Sequence, residues 1–396
     1  MEQQYTKIIL KSGKEQSLLR FHPWVFSGAV KRAEGPLAEG DVVEVISHRG
    51  DFLALGHYQV GSIMVRLFSF RPVVPDFVFW KEQLQKAWNL RHSLGLANNP
   101  ETNVFRLVNG EGDGFPGLII DFYNGVAVMQ MHSLGMYRIR QELAAALKEI
   151  LGDRLLAVYD KSEKTLPFKA GISPCDGYLL GEAQQTVVSE YGLRFQVDWE
   201  AGQKTGFFID QRENRRLVQQ YAAGRDVLNM FCYTGGFSFF ALRGGARLVH
   251  SVDASARAIA LTNENVTLNF ADEARHQAFV ADAADFLKNI KDQYDLIILD
   301  PPAFSKHRDT LGQALQAYKR LNARAFEQIR PGGLLFTFSC SQVVSKEKFR
   351  EAVFSGAAIA GRSVRILHQL TQPADHPVNI YHPEGEYLKG LVLWVE

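Results

Sequence analysis

Cysteine is scarce in this chain: Cys175, Cys232 and Cys340 are the only three thiols in 396 residues, widely separated and odd in number. That excludes a disulfide framework and a cysteine-based metal site, and it points to a reducing, cytoplasmic setting. Long apolar runs are lacking too. No stretch reaches the roughly 18 uninterrupted apolar residues of a membrane span. Met1 to Leu18 carries scattered charges where an export signal would have an apolar centre, so neither export nor a membrane partner is expected. Net charge is nearly absent, at +1, so a polyanion-binding surface would have to be local. No internal repeat and no low-complexity tract interrupts the chain.

What is present is a soluble globular composition, 46 % hydrophobic and 22 % charged, at a length that exceeds one ordinary core and fits two or three domains. From Lys7 to Phe70 short β-rich runs alternate with turn residues: Ile8 to Leu10, the Gly40-Asp41 turn, Val42 to Ile46, Phe52 to Leu55 and Ile63 to Phe70. They predict a small β-barrel over 1–72. Its first part leans basic, with Lys7, Lys11, Lys14, Arg20, Lys31 and Arg32 against Glu15, and Phe21, Trp24 and Phe26 interleaved. Such a mixture suits a surface that tracks phosphates and stacks bases, although aromatics in a small barrel are as readily core. Prolines 72 and 75 end the barrel, and a helix is expected from Phe77 to Leu94. A central α/β domain over 73–192 then holds strands at Leu118 to Phe122, Val126 to His132 after an Asn124-Gly125 turn, and Leu155 to Tyr159, with a helix from Met136 to Leu151.

Over 193–396 strands alternate with amphipathic helices, the pattern of a Rossmann-like, doubly wound parallel sheet. The strands are placed at Asp226 to Phe231, Leu248 to Val252, His276 to Val280, Leu296 to Leu299 and Leu334 to Ser339, with Ser255 capping one helix and a Pro331-Gly332-Gly333 turn ending another. Ligands of such sheets bind beyond the carboxyl ends of the strands. After the first strand, Cys232-Tyr233-Thr234-Gly235-Gly236-Phe237 is a glycine-bearing turn whose N–H groups can approach an anionic ligand, though not the Gly-x-Gly-x-x-Gly of a dinucleotide fold. After the second, Asp253 can accept ribose hydroxyls or serve only as a cap. After the third, Asp282-Ala283 can meet an adenine. After the fourth, Asp300-Pro301-Pro302-Ala303-Phe304 is a rigid turn that leaves Asp300 to a planar base, with Phe304 able to stack on it; it can also be only a strong turn. Together these describe a nucleoside cofactor and a planar substrate at one sheet edge, with Phe231, Ala254 and Pro301 as neighbours in the cofactor set. Upstream, Gln203 to Arg215 offers Lys204, Thr205 and Phe207 beside the adenosyl group and Asp210 and Arg212 for the other end of the cofactor, or else a hairpin leading into a charged helix.

The fifth strand ends in Phe338-Ser339-Cys340-Ser341, which sets a thiol at the edge that holds Asp300. A free cysteine is often just a small core residue. Here a chemical role is available. Carbon 5 of a pyrimidine is a poor nucleophile, and a thiolate adding to carbon 6 makes an enolate-like adduct that can attack a methyl group, with Asp300 neutralising charge on the base. Cys232 lies inside the cofactor turn and is the weaker candidate.

The chain resembles the bacterial 23S ribosomal RNA large subunit methyltransferase I family. The likeness rests on His22 to Gly28, Gly112-Asp113-Gly114-Phe115-Pro116-Gly117, Lys204-Thr205-Gly206 to Asp210-Gln211-Arg212, Tyr233 to Phe237, Asp300-Pro301-Pro302, Phe338 to Ser341, Ala374-Asp375-His376-Pro377 and Glu386 to Gly390. The resemblance implies an N-terminal PUA domain for RNA, a central α/β domain, a C-terminal S-adenosylmethionine-dependent methyltransferase domain, and a cysteine that attacks cytosine with help from Asp300. Ribosomal RNA is the partner it implies; no metal is expected, and a homodimer stays open. The rivals are a methyltransferase of a base nitrogen, which needs no thiol, and an RNA-binding or ribosome-assembly protein whose cofactor pocket does no chemistry.

Overall fold

In the computed structural model the described residues are 5–166, 172–183, 187–271, 273–305 and 307–396. They fall into two compact units. The first comprises Met1–Tyr191, Val197–Ile209 and Ala374–Gly385, and the second Gly192–Gln196, Asp210–Pro373 and Glu386–Glu396.

The first unit opens with β1 (Thr6–Leu10), α1 (Gln16–Leu19), β2 (Trp24–Phe26), β3 (Val30–Glu34), β4 (Val42–Ile46), β5 (Phe52–Tyr58) and β6 (Ile63–Ser69). These strands form one sheet in the order β2-β6-β5-β4-β1-β3. Alternate residues such as Val43 and Val45 bury together with Ile8, Leu10, Ala54, Val65 and Leu67. Strands β2 and β3 carry no alternation that a sequence reading can use, because β2 spans three residues and β3 is largely exposed.

After Pro75, Asp76 accepts a hydrogen bond from the Phe79 N–H and starts α2 (Phe77–Ser93). A second sheet follows from β7 (Val104–Asn109), β8 (Leu118–Tyr123), β9 (Val126–Met131), β10 (Ala157–Asp160) and β11 (Gly177–Leu180), in the order β11-β10-β9-β8-β7. The β8–β9 hairpin turns at Asn124 and Gly125, both at positive φ, as a two-residue turn requires. The helix expected from Met136 starts earlier and is split at Ile139, giving α3 (Leu134–Arg138), capped by Ser133, and α4 (Arg140–Leu151). Trp80, Leu84 and Trp88 of α2 and Leu143, Leu147 and Leu151 of α4 share a core with the sheet residues Phe105, Ile120 and Met129. Strand β12 (Val187–Glu190) completes this part.

The barrel and the central sheet, expected to meet at a boundary near residue 72, lie within one unit. His57 of β5 is 3 % exposed and stacks on Trp80 at 6.0 Å. Gly135 approaches it so closely that a Cβ there would lie 2.2 Å from the imidazole Cγ. The unit also takes in two segments expected with 193–396. One of them, Ala374–Gly385, is held by buried Arg91, which binds Asp113 through both guanidinium nitrogens and donates to the Asp375 carbonyl at 2.8 Å. The Arg106 N–H donates to the Asp375 carboxylate, and Asn109 to the Pro377 carbonyl.

The second unit runs β13 (Leu193–Gln196), α5 (Arg212–Tyr221), β14 (Asp226–Met230), α6 (Gly236–Arg243), β15 (Leu248–Asp253), α7 (Ala256–Asn269), β16 (His276–Val280), α8 (Ala283–Phe286), β17 (Leu296–Leu299), α9 (Leu311–Gln328), β18 (Gly333–Ser339), α10 (Lys346–Ala360), β19 (Val364–Leu370) and β20 (Lys389–Val395). Its sheet has the order β16-β15-β14-β17-β18-β20-β19. The five strands read from the sequence are parallel, and the order reverses between β14 and β17, where such folds bind ligands. The sheet is not wholly parallel as expected: β20 inserts antiparallel between β18 and β19 and contributes Leu391 and Leu393 to the core. No helix among the described residues is long and apolar enough to cross a membrane.

Burial lowers the His57 pKa to about 4, with Arg138 adding to the fall. The unfolded chain, near 6.5, therefore takes up a proton first, and the stabilisation that is full above pH 6.5 is lost as pH falls toward 4. At about 1.4 kcal/mol per unit, pH 5 should cost about 2 kcal/mol through this residue. Thermal unfolding at pH 7 and pH 5 should show that loss in the wild type and a smaller one in His57→Gln.

Candidate active site at the carboxyl edge of the parallel strands

Strand register assembles the site. Val280 pairs with Asp253, Val252 with Met230, Met230 with Leu299, and Leu299 with Thr337. One residue further along each strand, Asp253, Phe231, Asp300 and Phe338 stand in one row, with Cys340 just beyond it. Residues from five separate stretches of sequence thereby share one edge.

The turn after β14 is a strained cradle. Phe231, Tyr233 and Gly235 all have positive φ, at 58°, 48° and 85°. Gly235 caps α6, and a Cβ there would meet the Phe239 ring at 2.5 Å and Thr262 at 2.8 Å. The Thr262 hydroxyl donates to the Tyr233 carbonyl at 2.9 Å and Asn265 to the Thr234 carbonyl, so α7 holds the carbonyl side of Tyr233 and Thr234. Buried Gly236 begins the helix. Below, Asn229 donates to Ser238, which is linked through Ser251 to His276 in a buried polar chain. Cys232 is buried, and desolvation with the nearby Asp253 charge pushes its thiol pKa up, which leaves it a poor nucleophile.

The carboxylate of Asp253, the last residue of β15, receives the Tyr233 N–H at 3.0 Å on one oxygen and the Ser255 N–H at 2.9 Å on the other. Each oxygen keeps a lone pair for a further donor. The exposed Ala254 lies beside it. Asp282 caps α8 by accepting from Ala284 and Asp285 through one oxygen, and Ala283 is buried behind it. Asp210 accepts the Tyr387 hydroxyl at 2.8 Å, and Arg212, 2 % exposed, reaches Glu213.

Lys204, Thr205 and Phe207 belong to the first unit. The Thr205 hydroxyl is engaged there, donating to Asp121 at 2.6 Å and accepting from Tyr123 at 3.0 Å. Lys204 is exposed, with its ammonium 5.0 Å from the Phe208 ring, and Phe207 is buried.

Asp300 is half-buried, and Pro301 behind it is buried. Phe304, expected to stack on a substrate, packs its ring against Tyr318 of α9 at 4.7 Å and joins the core. The loop is fastened to the thiol's strand, since the Ser341 hydroxyl donates to the Ser305 carbonyl at 2.6 Å and the Ser339 hydroxyl to Tyr318 at 2.9 Å. Burial pushes the Tyr318 phenol up to about 12, and both Cys340 and Asp300 add to the rise. Sequence reasoning missed one charged residue here. Lys389 pairs with Ser339 across β18 and β20, is 5 % exposed, and donates to the Ser341 carbonyl at 2.5 Å and the Tyr387 carbonyl at 2.6 Å. Burial lowers its pKa to about 8 against the attraction of Cys340 and Glu386, with Lys346 adding to the fall. Its signals in the sequence are its place in the Glu386 to Gly390 segment that carries the family resemblance and its position at the head of an apolar run.

A family model described as S-adenosylmethionine-dependent methyltransferase matches residues 105–383, and a PUA-like domain model matches 8–70. The ribosomal RNA large subunit methyltransferase I of Klebsiella pneumoniae is 38 % identical over 393 residues, covering 98 % of this chain and 97 % of that protein. Its namesake in Alteromonas mediterranea is 39 % identical, with 98 % of each covered. The chain belongs to this family. It is an S-adenosylmethionine-dependent methyltransferase with a PUA-like N-terminal part and an α/β fold. SMU.776, a protein assigned as a methyltransferase and solved with SAH, matches with a TM-score of 0.85 at 26 % identity over 98 % of this chain and 99 % of that one. Trm5b from Pyrococcus abyssi, at 20 % identity over 70 % of this chain and 74 % of its own, shares the fold with a TM-score of 0.52.

The residues present fit the family's cofactor. The glycine turn that leads into α6 and two carboxylate lone pairs at Asp253 suit a nucleoside with an amino-acid tail. Among the described residues no group of His, Cys, Asp and Glu could hold a metal ion. Gly235→Ala combines a strained φ with overpacking, so a loss of about 1–3 kcal/mol in denaturant unfolding is expected, together with at least tenfold weaker S-adenosylmethionine binding by calorimetry.

Proposed function

We propose that this enzyme methylates carbon 5 of a cytosine in the 23S RNA of the large ribosomal subunit, in the cytoplasm, through a covalent adduct at Cys340. The observation that supports this reading is the register-set meeting of Cys340, Asp300 and the buried amino group of Lys389 at one edge. Methylation of a ring nitrogen would need neither the thiol nor its cation.

The cofactor supplies an electrophilic methyl group. We assign its ribose to Asp253 and Ala254, its adenine to Asp282, Ala283 and Pro301, and its amino-acid end to the cradle from Phe231 through Tyr233, Thr234, Gly235 and Gly236, with Asp210 and Arg212 supporting it. Lys204, Thr205 and Phe207 are added by the sequence pattern of Gln203 to Arg215 alone. Lys389, with two N–H bonds already made to carbonyls, takes the Cys340 proton as a neutral amine, leaving a thiolate beside an ammonium. The thiolate forms a bond to carbon 6 as the 5,6 double bond sends its electrons toward N3, and Asp300, protonated or hydrogen-bonded to the N3 and amino edge, neutralises the charge that develops on the base. Carbon 5 would then take the methyl group as its bond to the cofactor sulfur breaks, the sulfur leaving as a neutral thioether. Transfer of the carbon-5 proton to a base restores the ring double bond and expels the Cys340 thiolate.

Incubation with labelled S-adenosylmethionine and unmodified large-subunit RNA should put label in 5-methylcytidine with the wild type and none with Cys340→Ala. Label in a methylated purine, or undiminished label in the variant, would move the assignment to nitrogen chemistry. In a Cys175→Ser background without RNA, Cys340 should be alkylated by iodoacetamide about tenfold more slowly at pH 7 in Lys389→Met, with the pH midpoint shifted upward by about one unit. An unchanged midpoint would remove Lys389 from the mechanism.

A further inference from the structure

The first unit carries an arrangement that the methyl-transfer site does not use. Helix α1 ends in a full Schellman motif: the Phe21 N–H bonds the Leu18 carbonyl at 2.9 Å and the His22 N–H the Ser17 carbonyl at 3.0 Å. The residue in the left-handed slot of that motif is usually glycine. Here it is Phe21, at φ 62°. Burial does not offset the strain, because Phe21 remains 48 % exposed. A bulky side chain held at unfavourable φ with half its surface still in solvent is the signature of a position kept for contact with something else.

Phe21 is not alone. Its ring lies 5.3 Å from Phe70 and 5.3 Å from Tyr381, so the Ala374–Gly385 segment reaches the barrel at this point. Phe26 is 45 % exposed, Tyr381 50 % and Ile380 85 %. Behind them a second layer is fixed by polar bonds. The Trp24 indole N–H donates to Glu111 at 2.7 Å, Arg66 donates to the same carboxylate and stacks over Trp24, and His382 packs on Trp24 at 4.3 Å. His22 bridges the layers, with its ring 6.0 Å from Phe26 and its Nε2 3.5 Å from Glu384. The exposed aromatics therefore stand on a rigid base and lose little entropy on binding. The charge nearby in sequence is lopsided. Lys7, Lys11, Lys14, Arg20 and Lys31 are all exposed, whereas Glu15 is paired with His48 and Glu34 with Arg32.

We propose that Phe21, Phe26 and Tyr381 form a stacking platform for unpaired bases of the RNA substrate, with exposed Arg20 next to Phe21, and Lys11, whose ammonium bonds the Gly28 carbonyl two residues past Phe26, on its phosphates. Base stacking on aromatic faces combined with a basic rim is how single-stranded nucleic acid is held without strict sequence choice. The Ala374–Gly385 segment, which the chain inserts between two strands of the methyltransferase sheet, thus supplies part of the RNA surface. This rests on RNA being the substrate, and the test separates the two ideas.

Binding of a fluorescein-labelled, unstructured 12-nucleotide RNA is followed by anisotropy at low and moderate salt, with wild type, Phe21→Gly, Tyr381→Ala and the control Phe354→Ala. Phe354 is 71 % exposed on α10. Phe21→Gly and Tyr381→Ala should each weaken binding about tenfold, the control should not, and wild-type affinity should fall steeply with salt. Phe21→Gly has a second expected result that a packing role would not give: thermal stability is retained or raised, because glycine relieves the left-handed strain. Unchanged affinity in both variants, or equal loss with the control, overturns the platform while wild-type binding upholds RNA as ligand. A lowered melting temperature in Phe21→Gly with unchanged RNA affinity assigns Phe21 to packing. Equal loss on a blunt RNA duplex also overturns stacking, and failure of the wild type to bind either RNA brings down the substrate reading itself.

Discussion

Parallel pairing of β17 with β14 on one side and β18 on the other is the constraint on which the site depends. Hydrogen bonds fix Leu299 level with Met230 and with Thr337, and so Asp300, Phe231 and Phe338 must emerge in one row. A slip of one residue would turn the side chains of that strand to the opposite face and bury or expose the wrong set. The register is secured at the ends of the strand: Leu296, Ile297, Ile298 and Leu299 are fully covered, and a slip would draw Asp295 or Asp300 into a place that only an apolar side chain fits. The chemistry at the edge inherits its precision from apolar contacts several residues below it.

Above that frame, polar side chains complete what the strands begin. Asp253 is both a candidate ribose acceptor and the anchor that pins Tyr233 and Ser255. Ser341 ties the thiol's loop to Ser305, and Lys389 ties it to β20 through two carbonyls. Buried polar groups that make all their bonds rigidify their surroundings, whereas any left unpaired would cost the desolvation energy in full. The antiparallel β20 therefore matters beyond closing the sheet, since it brings a buried cation to the strand that ends at Cys340.

The first unit is organised by a different network. Arg91, with no exposed surface, binds Asp113 and the Asp375 carbonyl, and Arg106 reaches both Asp121 and the Asp375 carboxylate. Asp113 pairs the Arg91 charge, and the equally buried Asp375 carboxylate is met by the Arg106 N–H and the His376 ring, so these bonds hold the Ala374–Gly385 segment within the unit. The family's Ala374-Asp375-His376-Pro377 motif thereby has a structural explanation.

Sequence alone determined much of this protein. Local patterns set the barrel strands β4 to β6, the hairpin at Asn124-Gly125 and the five parallel strands, because alternation, apolar runs and turn residues act over a few neighbours. The strand-end residues Asp253, Asp300 and Cys340 were legible for the same reason: a parallel sheet places its ligands at those ends whatever the rest of the chain does. Strands β2, β3, β19 and β20 were not legible, since they are short, exposed or paired with partners remote in sequence. Neither was the burial of Lys389 beside the strand that ends at Cys340, nor the packing of Phe304 on Tyr318, nor the residence of Val197–Ile209 and Ala374–Gly385 in the first unit. These depend on which side chains meet across long stretches of sequence, and only the folded chain, by burying one group and leaving another exposed, decides that.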